Sequence, residues 1–104
     1  MQTQSPEYIY LIQESEFVQS SQPVYRLGRT KQPDQPRFRN YPQGNDMLII
    51  IMCPDSVGIE RVLLDMYKTK YVQRRDIGKK YFEGNCEQMI DDIMSAVIDS
   101  KKQS

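Results

Sequence analysis

Tyr25-Arg26-Leu27-Gly28-Arg29-Thr30, followed at 37–41 by Arg37-Phe38-Arg39-Asn40-Tyr41, reads as a strand that ends on a glycine and then delivers arginines through a polar loop. Val24-Tyr25-Arg26-Leu27 reads as a short strand, and Gly28 closes it. The segment 29–36 contains Pro33 and Pro36, which exclude both a regular strand and a long helix. A short helix over 37–41 is expected, stopped by Pro42 and Gly44.

Upstream, Tyr8-Ile9-Tyr10-Leu11-Ile12 is a second β-type run, separated from the first by residues 13–22, which are polar apart from Phe17-Val18. The economical pairing is a hairpin with a long loop. Downstream, Met47 to Cys53 is an unbroken apolar run, the pattern of a strand covered on both faces and so placed mid-sheet.

Pro54-Asp55-Ser56 then starts a helix in which Ile59, Val62, Leu63 and Met66 form a buried stripe, widened by Leu64, Tyr67 and Tyr71. Residues 72–84 are basic and contain Gly78 and Tyr81-Phe82, the pattern of a structured loop docked by its aromatics. From Cys86 to about Lys101 a last helix shows Met89, Ile90, Ile93, Met94 and Val97 on one face, with Asn85 and Gln88 at capping-box spacing. The order predicts an α+β domain over 7–101, with a small three-stranded, mainly antiparallel sheet flanked by helices. Residues 1–6 and 102–104 are polar tails.

A chain of 104 residues holds one domain, with roughly 65% of its unfolded surface buried. Its formal net charge of zero argues against indiscriminate attraction to nucleic acid or acidic membranes. The charges are nevertheless segregated. Arg26, Arg29, Lys31, Arg37 and Arg39 fall in one block, and Arg61, Lys68, Lys70, Arg74, Arg75, Lys79 and Lys80 in another, while the acids gather chiefly at 7–16 and 83–99. There is no histidine, and Cys53 and Cys86 suit small reduced hydrophobes rather than a zinc set or a disulfide framework. Without a signal peptide, and with its longest apolar run far too short to cross a bilayer, the chain is expected inside the cell and off the membrane.

These features together resemble the GIY-YIG nuclease superfamily. Tyr8-Ile9-Tyr10 takes the place of that family's Gly-Ile/Val-Tyr strand, and Arg26-Leu27-Gly28 that of its Tyr-Ile/Val-Gly strand, with Tyr25 one residue earlier. Arg37-Phe38-Arg39-Asn40-Tyr41 is similar to the Arg-x-Arg-x-Tyr pattern of the excision-repair members, and Glu60 matches the metal-binding glutamate on the helix after the third strand. Tyr-Ile-Tyr-Leu-Ile at 8–12 and Tyr-Phe-Glu-Gly at 81–84 resemble the short stand-alone relatives of large DNA viruses and phages. The resemblance spans positions 7–85 and departs at Tyr8, where the family has glycine, and at Arg26, where it has tyrosine. Neighbouring strand residues face opposite ways, so Tyr25 replaces position 26 only if a bulge shifts the register.

The resemblance implies a metal-dependent DNA endonuclease, with a catalytically weakened module that binds nucleic acid or protein as the alternative. Glu60 is then the ligand of Mg²⁺ or Mn²⁺, a single carboxylate completed by phosphate oxygens and water. Arg37 holds the scissile phosphate through its planar fork of donors. Tyr10, with Tyr25 and Tyr41 as further catalytic candidates, supplies a base, an acid or a water-orienting group, and Asn85 approaches the site or caps its helix. Arg26, Arg29, Lys31, Arg39, Arg74, Arg75, Lys79 and Lys80 track the DNA backbone. No small-molecule cofactor is implied. Tyr10, Arg37 and Glu60 are expected to converge on one concave face.

Overall fold

A computed structural model describes residues 6–31 and 44–102, so the expected helix at 37–41, with Arg37, Arg39 and Tyr41, lies outside the described residues. In chain order the elements are β1 (Glu7–Gln13), α1 (Ser15–Gln19), β2 (Val24–Thr30), β3 (Asp46–Cys53), α2 (Ser56–Lys70), β4 (Val72–Gln73), β5 (Tyr81–Glu83) and α3 (Cys86–Lys102). All strand pairs are antiparallel, in the order β3-β1-β2-β5-β4. The α+β class is as expected, but the sheet has five strands rather than three. The two additions come from the basic segment read as a loop, where short β4 and β5 extend the sheet from β2.

The expected hairpin forms, with Tyr10 opposite Gly28 and Leu11 opposite Leu27. Its polar connection contains α1, which buries Phe17. The strand 46–53 is placed differently from the expectation. Among the described strands β3 is an edge, and Met52, on the face away from the core, is 55% exposed. An unbroken apolar run does not by itself separate a central strand from an edge one. A register shift between Leu11 and Ile12 leaves Leu48 as the extra residue of a bulge, so Leu48 and Ile49 both pack on the main core while Met47 joins Ile12 on the other face.

The sheet therefore has two distinct faces. Ile9, Leu11, Tyr25 and Leu27 on the inner face meet Ile59, Leu63 and Tyr67 of α2 and Met89, Ile93 and Val97 of α3 in the main core. Tyr10, Ile12 and Met47 form a separate small cluster on the outer face. The buried stripe of α2 is Ser56, Ile59, Glu60, Leu63 and Tyr67, rotated from the expected one, with Val62 55% exposed. On α3 the stripe narrows to Met89, Ile93 and Val97, leaving Met94 exposed.

Both helices start on the capping residues the sequence offers. The Asp55 carboxylate accepts from the Gly58 amide at 3.1 Å and the Asn85 side chain from the Gln88 amide at 3.1 Å. The helices are joined by the Tyr67 hydroxyl donating to the Met89 carbonyl at 2.7 Å, and by Lys70 and the Tyr71 hydroxyl both reaching the Asp92 carboxylate at 2.7 Å.

Four tyrosines are held above their ordinary value of 10.0, in each case first by burial. Hydrogen bonds to Cys86 and Glu14 help push Tyr25 and Tyr81 to about 12, and Tyr67 and Tyr71 are raised further, with Asp92 contributing to both. The fold thus keeps its proton on each phenol where the unfolded chain would lose it. Stability is fully present below the ordinary value of 10.0 and is lost as pH rises from there through about 12. Urea midpoints measured from about pH 8 to about pH 11 should be flat at first and fall above pH 10, with tyrosinate absorbance appearing together with unfolding. A midpoint unchanged at the alkaline end would contradict this account.

Candidate functional site

The inner face carries one charged residue in its buried helical stripe. Glu60 is 7% exposed, set on α2 one position after the core residue Ile59. A buried carboxylate is costly unless counter-charged. Two cations meet it: Arg29 Nε of β2 lies 3.5 Å from Oε1, and Lys80 Nζ, from the residue before β5, lies 2.9 Å from Oε2. The Lys80 contact is an ion pair without hydrogen-bond geometry, and Oε2 accepts no hydrogen bond among the described residues. Arg61 and Lys68, the cations of the same helix, form no ion pair with Glu60.

Backbone pairing sets these groups. Arg29 has the strand parity of Leu27 and so points inward over α2. The Leu27 amide donates to the Lys80 carbonyl at 2.9 Å, which fixes Lys80 beside β2. Beyond them opens a cleft of about 300 Å³, lined by the apolar Val57 and Leu64, the carboxylates Glu60 and Asp65, and the cations Arg29, Arg61 and Lys68. With Lys80 included, its basic groups outnumber its acids, an environment that favours an anion such as a phosphate. Arg61 and Lys68 are absent from the residues picked out by motif, yet Arg61, Leu64, Asp65 and Lys68 recur along the helix flank beside Glu60 at helical spacing, the signal that could have found them.

Tyr10 stands across the sheet from this cleft. It is 2% exposed and belongs to the outer cluster, so Tyr10 and Glu60 do not share one face. They flank neighbouring residues instead. Tyr10 lies opposite Gly28, and a Cβ at position 28 would sit 2.5 Å from the Cζ and Oη atoms of Tyr10, while Glu60 contacts Arg29. Gly28 does not close the strand as expected, since β2 runs on to Thr30. It is required there by the Tyr10 ring stacked on it. Arg26 Nη1 donates to the Tyr10 hydroxyl at 3.1 Å, which turns this guanidinium to the outer face beside the tyrosine.

The other candidates separate. Tyr25 is a core residue under α3, with its hydroxyl beside Cys86. It is four residues from Arg29 along β2, about 13 Å. No bulge carries it to the face of Arg26: the β2 pairings run without a shift. Arg74 is engaged within the protein, donating to Asp76 at 3.0 and 2.9 Å and to Glu83 at 3.2 Å. These carboxylates, Asp76 first, hold the guanidinium firmly charged, and Arg74 in turn holds the Asp76 carboxyl below its ordinary range. Lys31, Arg75 and Lys79 are exposed, and Asn85 caps α3.

A divalent cation would find one buried carboxylate here, with Oε2 lacking a hydrogen bond. Among the described residues no group of three or more acidic, cysteine or histidine side chains gathers to cage a metal. The donor set suits a cation that takes one carboxylate and completes its shell with phosphate oxygens and water. It does not suit a caged structural metal. Among the described residues no helix is long and apolar enough to cross a membrane. Comparisons with protein families, curated proteins and solved structures find no match to the chain.

The contact between Gly28 and Tyr10 is testable. Gly28→Ala should destabilise the protein by about 1–3 kcal/mol in urea unfolding, the usual cost of overpacking a filled site. In a Tyr10→Leu background the same change should cost less than half as much, a coupling expected of residues in contact. Equal costs in the two backgrounds would contradict the contact.

Proposed function

We propose that this chain is a metal-dependent DNA endonuclease domain of the GIY-YIG type, with its phosphate-handling groups gathered at the Arg29 end of β2. The observation that carries the reading is the buried Glu60 carboxylate, flanked by Arg29 and Lys80 and open to a cleft with further cations. Arg29 and Lys80 supply donors to a backbone phosphate, Arg29 in the planar fork that suits two of its oxygens. Glu60 is the group that takes Mg²⁺ or Mn²⁺ or accepts a proton from the attacking water. A bound cation would supply charge neutralisation at the phosphate and a more acidic water. Tyr10 supports the site as the ring packed on Gly28, and Arg37 is the further phosphate ligand that the family resemblance implies.

A second reading, a module that binds nucleic acid without cleaving it, is favoured by one observation. Where the family has a tyrosine, this chain has Arg26, whose guanidinium is engaged on the Tyr10 hydroxyl. In this reading Glu60 with its two cations is an ion-paired anchor, and the surrounding charge binds phosphates non-specifically.

Incubation with supercoiled and branched DNA in Mg²⁺ or Mn²⁺ separates the two. The wild-type protein should nick or cut, and Glu60→Gln and Arg29→Ala should each lose about 10²–10³-fold in rate, with circular dichroism unchanged. Arg37→Ala should fall likewise. Cleavage that survives Glu60→Gln would overturn the assigned site. Binding that weakens steeply with salt, without cleavage, would establish the second reading, and no binding at low salt would overturn both.

A further inference from the structure

Lys80 occupies the Glu60 oxygen that a metal would need. Its ammonium is 2.9 Å from Oε2, the buried carboxylate oxygen that accepts no hydrogen bond among the described residues. Arg29 takes the other oxygen at a looser 3.5 Å. The two cations differ in how they are mounted. Arg29 is inside β2, paired with Ile9 of β1. Lys80 closes the turn between β4 and β5, and its main chain is pinned by the Leu27 amide on its own carbonyl. That turn is clasped from within, since the Arg74 amide donates to the Tyr81 carbonyl at 2.8 Å and the Gln73 side chain to the Lys79 carbonyl at 2.8 Å. The main chain at Lys80 is therefore fixed, while its ammonium rides on a flexible four-carbon stem that can swing without unfolding the turn.

We propose that Lys80 is a built-in counter-cation of the Glu60 carboxylate, which a divalent metal displaces when the site loads. This inference rests on the metal-binding role given to Glu60 above. The exchange is a replacement of ions: the ammonium keeps its proton and leaves Oε2, the divalent ion takes that oxygen, and the freed ammonium remains at the cleft mouth, where a phosphate can receive it. In the metal-free protein Lys80 shields a carboxylate that would otherwise be buried with Arg29 as its one partner among the described residues. In the loaded protein the same residue is an anion ligand. Lys80 thus sets the metal concentration at which the site fills, and it couples metal entry to phosphate binding because each favours the displaced position.

The probe is Mn²⁺ binding to the full chain, followed by the electron paramagnetic resonance signal of free Mn²⁺. Lys80→Met keeps the length of the stem and removes the competing charge, and it should bind Mn²⁺ at least about tenfold more tightly than wild type, the scale on which a single adjacent charge alters a carboxylate's affinity for a cation. Lys80→Arg keeps the charge and should bind as wild type does. Lys79→Met removes an exposed charge one residue away and should change affinity by less than about twofold, because exposed charge is screened. Binding in every one of these proteins should be lost with Glu60→Gln.

In the wild type, saturating Mg²⁺ should also speed acetylation of the Lys80 amine, scored by peptide mass spectrometry, relative to Lys79. Affinities of Lys80→Met and wild type that agree within twofold, with Glu60→Gln still abolishing binding, would overturn the displacement and leave the metal role of Glu60 standing. A Lys79→Met gain equal to that of Lys80→Met would reduce the effect to general charge and overturn it as well. Mn²⁺ affinity unaffected by Glu60→Gln would overturn both this inference and the metal role on which it rests.

Discussion

A carboxylate buried on the core side of a helix must be answered by positive charge, and in this fold that requirement governs how the pieces meet. Desolvating an ionised side chain costs several kcal/mol, recovered only where counter-charges stand close in good geometry. Glu60 finds its counter-charges on elements far from it in sequence, Arg29 on β2 and Lys80 at the mouth of β5. Three separate parts of the chain are thereby held at one point. Ile59, Leu63 and Tyr67 hold α2 against the sheet in the orientation that also brings Glu60 to Arg29 and Lys80 and leaves Val62 exposed.

Lys80 can serve as a counter-charge because its turn is ordered by polar contacts rather than by apolar burial. Arg74 clasps Asp76 within the turn and reaches across to Glu83 on β5. Exposed ion pairs add little to global stability, so the clasp matters for geometry more than for energy. It closes a segment with few apolar residues of its own, and Phe82, fully buried in the main core with its ring edge-on to Tyr67, anchors β5 against α2. The basic residues of this segment therefore have unlike roles: Arg74 shapes the turn, Lys80 faces the carboxylate, and Arg75 and Lys79 face solvent.

The parts of the fold that sequence made legible are those with a pattern long enough to show a period. The hairpin of β1 and β2, the apolar strand β3 and the two long helices with their caps at Asp55 and Asn85 all belong here. β4 and β5, two and three residues long, fall below the length at which alternation can be recognised, and their pairing is long-range. The edge position of β3 was hidden for a related reason, since composition reports how apolar a strand is and not how many neighbours it has. Glu60 was legible through its place on the helix after β3. Its partners were not, because they lie far away in sequence, on β2 and before β5, and are brought to it by sheet pairing. The one-face expectation for Tyr10 and Glu60 failed on the same register, which sets residues 28 and 29 on opposite sides.

That opposition explains how the departure at position 26 fits the rest. Arg26 has the strand parity of Gly28 and so shares the outer face with Tyr10, whose hydroxyl accepts its hydrogen bond. It also pairs across β5 with Tyr81, whose hydroxyl in turn donates to the Glu14 carboxylate at 2.9 and 3.0 Å. Tyr10, Arg26, Tyr81 and Glu14 thus make a polar row across the outer face, in which a positive group near the centre is answered by a negative one at the end. A tyrosine at position 26 could accept or donate one hydrogen bond there but would remove the row's positive charge. The arginine therefore lies in the outer row, on the side of the sheet away from Glu60. The cations of the inner cleft lie on the other side of the sheet, with Glu60. Arg26 thus belongs to the outer face, while the chemistry proposed for the domain depends on Arg29, Glu60 and Lys80 on the inner one.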